Sequence, residues 1–356
     1  MADSQVSVSF AGCGFLGIYH VGVARCMQEH APHLFTGRFL GSSVGGLIAA
    51  SLILGHPLSV ISDLMIDLST QARCRFLGPF HPSFNLSKIL KRIIKNSFPP
   101  NAYQLCSGRL HLSLTRLSDG SNVIVNQFDS NCELIDALMC SCHIPIFSGL
   151  VPPKYRRVFY VDGFLSDNLL EFDENTITVS PFCGSVDICP RDFCEMPFGS
   201  FIGNTPMQFT LFNFSRLINV VYPPSRRDLA SIARQGYHDA HRFILFYSSP
   251  SSPSFLCHYA PQSSCSCCVN AYYNPTQDRK SMIFNYSRII SSFILLPLEM
   301  IISFVFRFIA YFPEFFGDLR LFFRIIYRQS KNGLKRSPKM ILYSNGDILA
   351  TFKLFI

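Results

Sequence analysis

The sequence predicts an α/β fold with a mainly parallel central sheet, and three observations predict it. Short apolar strands alternate with helical segments from residue 6 to about residue 185. Glycine-rich turns connect a strand to a helix at two places near the N-terminus. Hydrophobic residues make up 48% of the chain, which allows a large core. We therefore expect an α/β sandwich, followed by an apolar helical C-terminal region.

The predicted elements follow one another in a regular order. They are a strand at 6–10, a helix at 17–28, a helix at 44–54, strands at 110–117 and 123–125, and a strand at 158–161. In the first helix Ile18 falls on the inward face, whereas His20 points elsewhere. Gly55 is a C-terminal stop for the second helix. Asp119-Gly120 predicts a hairpin turn between two strands.

Charge and composition limit the partners that we expect. The chain has a formal net charge of +8, yet charged residues make up only 15% of it. We find neither a basic stripe interleaved with stacking aromatics nor a nucleic-acid-binding motif, and therefore expect no nucleic acid partner. An anionic lipid surface suits both the positive charge and the apolar surface that this composition leaves uncovered.

The cysteines indicate a reduced, cytosol-facing protein. There are 14 of them, scattered through apolar segments of a chain too long for a disulfide scaffold. The N-terminus lacks the basic region of a signal peptide. A zinc site in the cluster formed by Cys265, Cys267 and Cys268 lacks a second well-spaced pair of ligands, and reversible acylation of these thiols is the alternative. We expect no metal and no cofactor.

Gly41-Ser42-Ser43-Val44-Gly45 matches the G-x-S-x-G pattern of a nucleophile elbow. Such a turn between a strand and a helix exposes the serine hydroxyl, and small neighbours let the backbone bend that sharply. The N-terminus of the following helix favours a developing oxyanion. We therefore expect Ser43 to be a nucleophile. The alternative is a helix cap, a role that Ser42 could fill beside a catalytic Ser43.

A second glycine motif follows the first strand, with Gly12, Cys13, Gly14 and Gly17 at the spacing of a dinucleotide-binding loop. The acidic residue that such a site needs about 20 residues further on is missing, because Glu29 lies in helical sequence. We favour a loop whose bare amides, those of Gly12, Cys13 and Gly14, stabilise an oxyanion beside the serine elbow.

The candidate base is Asp162 of the Asp162-Gly163 dipeptide, which ends a strand. A Ser-His-Asp triad needs a histidine, but none lies in an obvious loop after a late strand. His143 shortly precedes Pro145 and His238 lies in helical sequence, so we expect a structural role or an exposed position for each. An aspartate can take the serine proton directly where desolvation raises its pKa. The rival Asp119 is explained by its turn alone.

These motifs stand in the order and spacing of the patatin-like phospholipases, and the sequence resembles the adipose triglyceride lipase branch of that family. The similarity includes residues 75–85, 107–110, 144–145, 180–182 and 187–190 and extends to about Phe243. The resemblance implies an α/β/α sandwich and a Ser-Asp dyad without histidine. By position, Ser43 is then the nucleophile, Asp162 the base, and the amides of Cys13 and Gly14 the oxyanion hole, together with Val44.

The resemblance also implies a function. It implies release of fatty acid from triacylglycerol at lipid droplets or the endoplasmic reticulum membrane, with a cytosolic coactivator of the α/β-hydrolase fold as partner. A phospholipase or acyl-transferase acting on related lipids is the alternative, as is a weakly active droplet-binding regulator that sequesters the coactivator. Phe164 is the one hint of a regulator, since it replaces a usually small residue and could crowd the acyl pocket. Leu16 replaces a usually basic residue, a feature that the triglyceride lipase branch shares.

The chain divides into four parts. We expect a patatin-like catalytic domain at 1–247, a Ser/Pro/Cys-rich linker at 248–280, an apolar and basic lipid-interface region at 281–340 and a tail at 341–356. The apolar segment at 289–312 is long enough to cross a bilayer, but its proline and charged residues favour a hairpin in one leaflet or a droplet monolayer. A basic helical face follows it, formed by Arg320, Arg324 and Arg328. A helix packed on the catalytic domain is the alternative.

Overall fold

The computed structural model describes residues 6–247, apart from 76–77, 81–83, 146, 150, 193–198 and 203. The predicted linker, lipid-interface region, tail and cysteine cluster all lie outside the described residues. No helix within the described ranges combines the length and the apolar character needed to cross a bilayer. The nine cysteines of the described part are free thiols.

The predicted alternation of strands and helices holds only in the first part of the chain, because four helices follow one another between the second and third strands, and five strands follow one another after residue 153. The strands are β1 (Ser7–Phe10), β2 (Arg38–Ser42), β3 (Leu110–Arg116), β4 (Asn122–Val125), β5 (Lys154–Tyr155), β6 (Val158–Asp162), β7 (Ile177–Val179), β8 (Gly199–Ile202) and β9 (Thr205–Gln208). The helices are α1 (Ile18–His30), α2 (Ser43–Ile53), α3 (Leu58–Arg73), α4 (Leu86–Ser97), α5 (Ala102–Cys106), α6 (Asn131–Ser141), α7 (Leu211–Val221) and α8 (Arg226–Tyr247). The predicted hairpin is confirmed, because β3 and β4 pair antiparallel around a turn in which Gly120 has a φ of +68°.

A seven-stranded sheet holds these elements together, in the order β5-β6-β3-β2-β1-β7 with β4 paired to β3. Strands β7, β1, β2 and β3 run parallel. Strands β4, β5 and β6 run antiparallel to their neighbours. The predicted α/β fold is therefore confirmed, with a parallel centre and an antiparallel side.

Both faces of the central strands are covered. Successive residues of a strand point to opposite faces, and all four residues of β1 are fully buried. Val8 and Phe10 point into the apolar core, whereas Ser7 and Ser9 occupy the other face and their hydroxyls have no partner among the described residues. The sheet therefore lies inside the domain, as expected for parallel strands.

The sheet brings two distant strand ends together. On one side of β3, residues 112–115 pair with β4. A strand has two hydrogen-bonding edges, and one edge of β3 is occupied by β4 over these residues. Strands β2 and β6 therefore share the other edge of β3. There Ser42 is opposite Ser113, and Asp162 is opposite Leu114, the next residue. The carboxyl ends of β2 and β6 thus meet head to head, which positions the residues that follow them.

The last described helix, α8, closes the domain against α1. Gly22 and Gly236 let the two helices approach closely, because a Cβ on Gly236 would lie 2.2 Å from the Tyr19 carbonyl oxygen. The Tyr19 hydroxyl also donates to an oxygen of Asp239 at 2.8 Å. The chain up to the end of α8 is therefore packed onto the same core.

Candidate active site

The turn between β2 and α2 forces the backbone of Ser43 into an unusual conformation. Ser43 has a φ of +53°, in the left-handed region that non-glycine residues rarely adopt. A Cβ on Gly41 would lie 2.6 Å from the backbone of Gly45, and one on Gly45 would lie 2.2 Å from the carbonyl oxygen of Phe10. The two outer glycines of the motif are therefore required by contacts between backbone segments, and Ser43 is at the tip of the turn.

A hydroxyl from α6 supports this turn. The amide of Ser43 donates to Oγ of Ser141 at 2.9 Å, and that hydroxyl donates to the carbonyl oxygen of Ser113 at 2.9 Å. Ser141 is fully buried and connects the elbow to β3. Because the Ser43 amide is already paired, it has no free hydrogen for a ligand.

The alternative in which the Ser42 side chain caps α2 is not observed. Ser42 occupies the residue before the helix, but its side chain makes no capping hydrogen bond. Its hydroxyl instead donates to Oδ1 of Asp162 at 3.2 Å. The Ser42 hydroxyl therefore contacts the carboxylate at the end of β6 and accepts no hydrogen bond from the first amides of α2.

Asp162 is almost completely buried where β6 ends. Gly163 follows because the chain passes β3 closely, and a Cβ there would lie 2.4 Å from the Ser113 carbonyl oxygen. The amide of Phe164 donates to Oδ1 at 2.9 Å, whereas Oδ2 is buried and has no hydrogen-bond partner among the described residues. The Asp-Gly pattern thus has a steric basis, as the glycines of the elbow do.

Burial raises the pKa of Asp162 to about 6. The Phe164 amide and the hydroxyls of Ser43 and Ser42 lower the pKa, but they only partly offset the burial. Among the described residues Oδ2 has no partner at full hydrogen-bond geometry, whereas the hydroxyl of Ser42, the neighbour of Ser43, donates to Oδ1 at 3.2 Å. Contacts of this kind are often long in an unliganded site. An aspartate with this pKa is mostly ionised at neutral pH and can accept a proton.

The glycine loop lies directly against Ser43. A Cβ on Gly12 would lie 3.0 Å from the Cβ of Ser43. The Gly12 amide donates to Oδ1 of Asn168 at 2.7 Å, so this amide, expected in the oxyanion hole, is already engaged. The amides of Cys13 and Gly14 donate to no other described residue.

The remaining glycines of the loop are required because neighbouring residues leave no room for a side chain. Gly14 has a φ of +54°, and a Cβ there would lie 2.2 Å from the Val220 carbonyl oxygen. A Cβ on Gly17 would lie 2.8 Å from a methyl group of Val44. The loop is therefore packed between α2 and α7, next to the elbow.

The prediction that His20 lies away from the interior is wrong. His20 is fully buried, and burial lowers its pKa to about 4. Its Nε2 lies 2.7 Å from the Ala11 carbonyl oxygen and must carry the hydrogen, because a carbonyl only accepts. His20 thus holds the start of the glycine loop from behind.

A cavity of about 360 Å³ runs along α2 from Ser43. Its wall is almost entirely apolar and comes from α2, α3, α4 and α7; representative residues are Leu47, Leu64, Leu68, Leu90, Ile94 and Val220. The lining of α4 spans Leu86 to Ser97, about 16 Å at the helical rise. Such a cavity suits a hydrocarbon chain whose reactive end lies at Ser43.

Phe164 is not among the residues that line this cavity. The suggestion that it narrows the acyl pocket is therefore not supported. His143 is buried, and burial lowers its pKa to about 4. Within the described ranges no histidine is hydrogen-bonded to the side chain of Ser43 or Asp162. The described residues also contain no cluster of three side chains able to hold a metal ion.

An elbow serine, a buried aspartate and an apolar cavity in an α/β fold define a class of proteins that act on lipid esters, either as hydrolases or as acyltransferases. Residues 8–172 match the family model of the patatin-like phospholipases. The chain belongs to the patatin-like phospholipase family.

Several curated relatives have been given different names. The chain is 46% identical over 245 residues to patatin-like phospholipase domain-containing protein 2 of Rattus norvegicus, covering 68% of this chain and 51% of that protein. It is 45% identical over 245 residues to the 1-acylglycerol-3-phosphate O-acyltransferase Pnpla3 of Mus musculus, covering 68% and 59%. It is 38% identical over 242 residues to the omega-hydroxyceramide transacylase of Homo sapiens, covering 67% and 45%. The chain thus spans about half the length of these relatives.

Three residues of the site were not found by sequence reasoning. Asn168 pairs with both backbone groups of Gly12, through its Oδ1 and, at 3.2 Å, its Nδ2. Ser141 supports the elbow, and His20 supports the glycine loop. No spacing pattern in the sequence connects any of the three to the motif that it touches.

Proposed function

We propose that this protein is a serine lipid hydrolase that releases fatty acid from triacylglycerol with a Ser43–Asp162 dyad. The observation that carries the proposal is that Ser43 lines one end of an apolar cavity and directly follows Ser42, whose hydroxyl donates to the buried carboxylate of Asp162 at 3.2 Å. A dry site with a raised pKa suits an aspartate that acts as a base without histidine.

The reaction proceeds in two halves. Ser43 Oγ attacks the ester carbonyl while Asp162 takes its proton and passes it to the departing alcohol. Water then attacks the acyl-enzyme and gives a proton to Asp162, which returns it to Ser43 as the fatty acid leaves. The amides of Cys13 and Gly14 stabilise the oxyanion, together with the Val44 amide in the first turn of α2.

Triacylglycerol is the favoured substrate for two reasons. The cavity offers hydrocarbon contact along α2 and few polar groups for a headgroup. The sequence also resembles the adipose triglyceride lipase branch of the patatin-like phospholipases, as its motifs indicate. We place the protein at the surface of lipid droplets or the endoplasmic reticulum membrane, with an α/β-hydrolase-fold coactivator as partner. Deleting residues 289–328 should release it from droplets, and unchanged targeting would contradict this role of the C-terminal region.

Acyl transfer is the second candidate. Relatives at 45% and 38% identity are named as an acyltransferase and as a transacylase, respectively. An acyl-enzyme can be attacked by a lipid hydroxyl instead of water, so the same dyad serves both reactions. A weakly active regulator that sequesters the coactivator is the third, but Phe164 no longer favours it because this residue does not line the cavity.

Product analysis of the purified full-length chain tests the proposal. It should be incubated with triolein emulsion, with phosphatidylcholine vesicles, and with triolein plus lysophosphatidate as acyl acceptor. We expect free oleate from triolein, and a loss of about a thousandfold or more in Ser43→Ala and Asp162→Asn. Asp119→Asn is the matched control, because it changes the aspartate of the other Asp-Gly pair in an exposed turn. Mainly phosphatidate would favour acyl transfer, and equal rates in wild type and Ser43→Ala would favour a regulator.

A further inference from the structure

The two oxygens of the Asp162 carboxylate have different environments. Oδ1 accepts hydrogen bonds from the Ser42 hydroxyl at 3.2 Å and from the Phe164 amide at 2.9 Å. Oδ2 is buried and accepts none from the described residues. The described residues thus satisfy one side of the carboxylate and leave the other unpaired.

This asymmetry affects where a proton can go. An oxygen with two donors has its lone pairs engaged and is a poor site for a further proton. A buried oxygen without donors is costly to leave ionised and gains most from a new partner. Two donors on one oxygen also limit rotation of the carboxylate, so that the orientation of Oδ2 is fixed before substrate arrives.

We propose that Ser42 is a positioning residue that holds Oδ1 of Asp162 so that Oδ2 receives the proton of Ser43. This inference rests on the proposed function, because it requires Asp162 to be the base. Ser42 acts through Asp162 and does not touch substrate. The chain geometry makes it feasible, because the reversal of φ at Ser43 lets two consecutive serines face the same carboxylate.

The other groups around Asp162 do not replace Ser42. The Asp162 backbone is held separately, since its amide donates to the His143 carbonyl oxygen at 2.9 Å and its carbonyl accepts from the Thr115 hydroxyl at 2.8 Å. The Cys142 thiol is the other titratable group that interacts with the carboxylate, and burial raises its pKa well above the usual value, so that it stays neutral. Ser42 is therefore the one side chain in the described region that donates to Oδ1.

Three variants separate positioning from simple packing. Ser42→Ala removes the donor, and Ser42→Thr retains a hydroxyl. Ser9→Ala is the matched control, because Ser9 is a fully buried strand serine in the neighbouring strand and its hydroxyl has no partner among the described residues. Thermal unfolding of all three verifies that the folds are comparable.

Two measurements test the proposal. With the soluble ester p-nitrophenyl butyrate, Ser42→Ala should lower kcat about tenfold and leave KM unchanged, because the lost hydrogen bond to a charged group orients the base and not the substrate. Carbon-13 NMR of aspartate-labelled protein, with Asp162 assigned by Asp162→Asn, needs no turnover. The titration midpoint of Asp162 should rise by about one pH unit in Ser42→Ala and return in Ser42→Thr.

The outcomes can be told apart. If wild type hydrolyses the ester, but Ser42→Ala matches Ser9→Ala in kcat and in the titration midpoint, the positioning role is wrong and the proposed function stands. If wild type and Ser43→Ala are equally inactive, the proposed function is wrong and the catalytic role of Ser42 is wrong with it. If the titration midpoint rises without any change in kcat, Ser42 contacts the carboxylate but does not position it for the reaction, which also overturns the proposal.

Discussion

The two halves of the candidate dyad are built in different ways. Ser43 is held by backbone sterics, with a φ of +53° and flanking glycines whose side chains would collide with other backbone segments. Asp162 is also followed by a glycine that sterics require, but its own carboxylate, amide and carbonyl are each held by hydrogen bonds. The difference suggests that changes around Ser43 act mainly on folding, whereas changes at Asp162 act mainly on chemistry.

The largest effect is expected at Gly45. A Cβ in Gly45→Ala would lie 2.2 Å from the Phe10 carbonyl oxygen, where only backbone could move away. We expect a loss of about 3 kcal/mol or more in the free energy of unfolding, measured by urea denaturation. Gly46→Ala is the matched control in the same helix, since the one close contact of its Cβ would be the side-chain end of Leu112 at 2.7 Å, while the Gly41 carbonyl oxygen lies at an ordinary 3.4 Å. Equal losses in both variants would contradict the steric account of the elbow.

Replacing Asp162 is expected to lower activity strongly but to raise stability. Asp162→Asn should lower kcat/KM about a thousandfold and raise the free energy of unfolding at pH 8 by up to about 3 kcal/mol. Burial raises the pKa of this carboxyl from 3.8 to about 6, so the unfolded state ionises first as pH rises.

The sign sets the pH window. Wild type should lose stability relative to Asp162→Asn between about pH 4 and pH 6, with no further loss above that range. Urea denaturation of both proteins at pH 4 and pH 8 measures this difference. Asp239 is a second buried carboxyl with a raised pKa, but its contribution to stability is the same in both proteins and cancels in the comparison. In the same range kcat/KM of wild type should rise with pH, since Asp162 must be ionised to accept a proton. A constant stability difference would show that Asp162 has an ordinary pKa.

A smaller effect is expected at Ser141, which connects the two halves through β3. Ser141→Ala leaves the Ser43 amide without a partner, and we expect a cost of about 1–2 kcal/mol in the free energy of unfolding. The elbow should also become less well ordered, lowering kcat about tenfold. Ser69→Ala is the control, because Ser69 is a buried helical serine whose hydroxyl has no partner among the described residues. Identical kinetics in the two variants would limit Ser141 to packing.

The smallest effect is expected at Phe164. Its backbone amide holds Asp162, but its side chain is not part of the cavity wall. Phe164→Ala keeps the amide and should change kcat/KM for long-chain esters by less than about twofold. Leu47→Trp, which fills the cavity, is the contrasting variant and should reduce long-chain but not butyrate hydrolysis. A large gain in Phe164→Ala would restore the idea of a crowded pocket.

The sequence predicts those features of the site that depend on local sterics. Gly41 and Gly45 are readable as an elbow because backbone contacts exclude any side chain there, and Gly163 marks Asp162 for the same reason. Asn168 could not be found, because it is separated from Gly12 by 156 residues and its contact arises only when the chain folds. The burial of His20 was likewise missed, since helical spacing gives the inward face of one helix but not what the preceding loop presents to it.

The head-to-head meeting of β2 and β6 has a consequence for how chain length varies. Ser42 and Asp162 are placed by adjacent positions of β3, so the separation of the two reacting groups depends on that strand and not on the sequence between them. Insertions or deletions at the tip of the β3–β4 hairpin or between α3 and α4 would leave this spacing intact. Strand β3 thus sets the distance between the two groups, and the loops around it can vary in length without changing that distance.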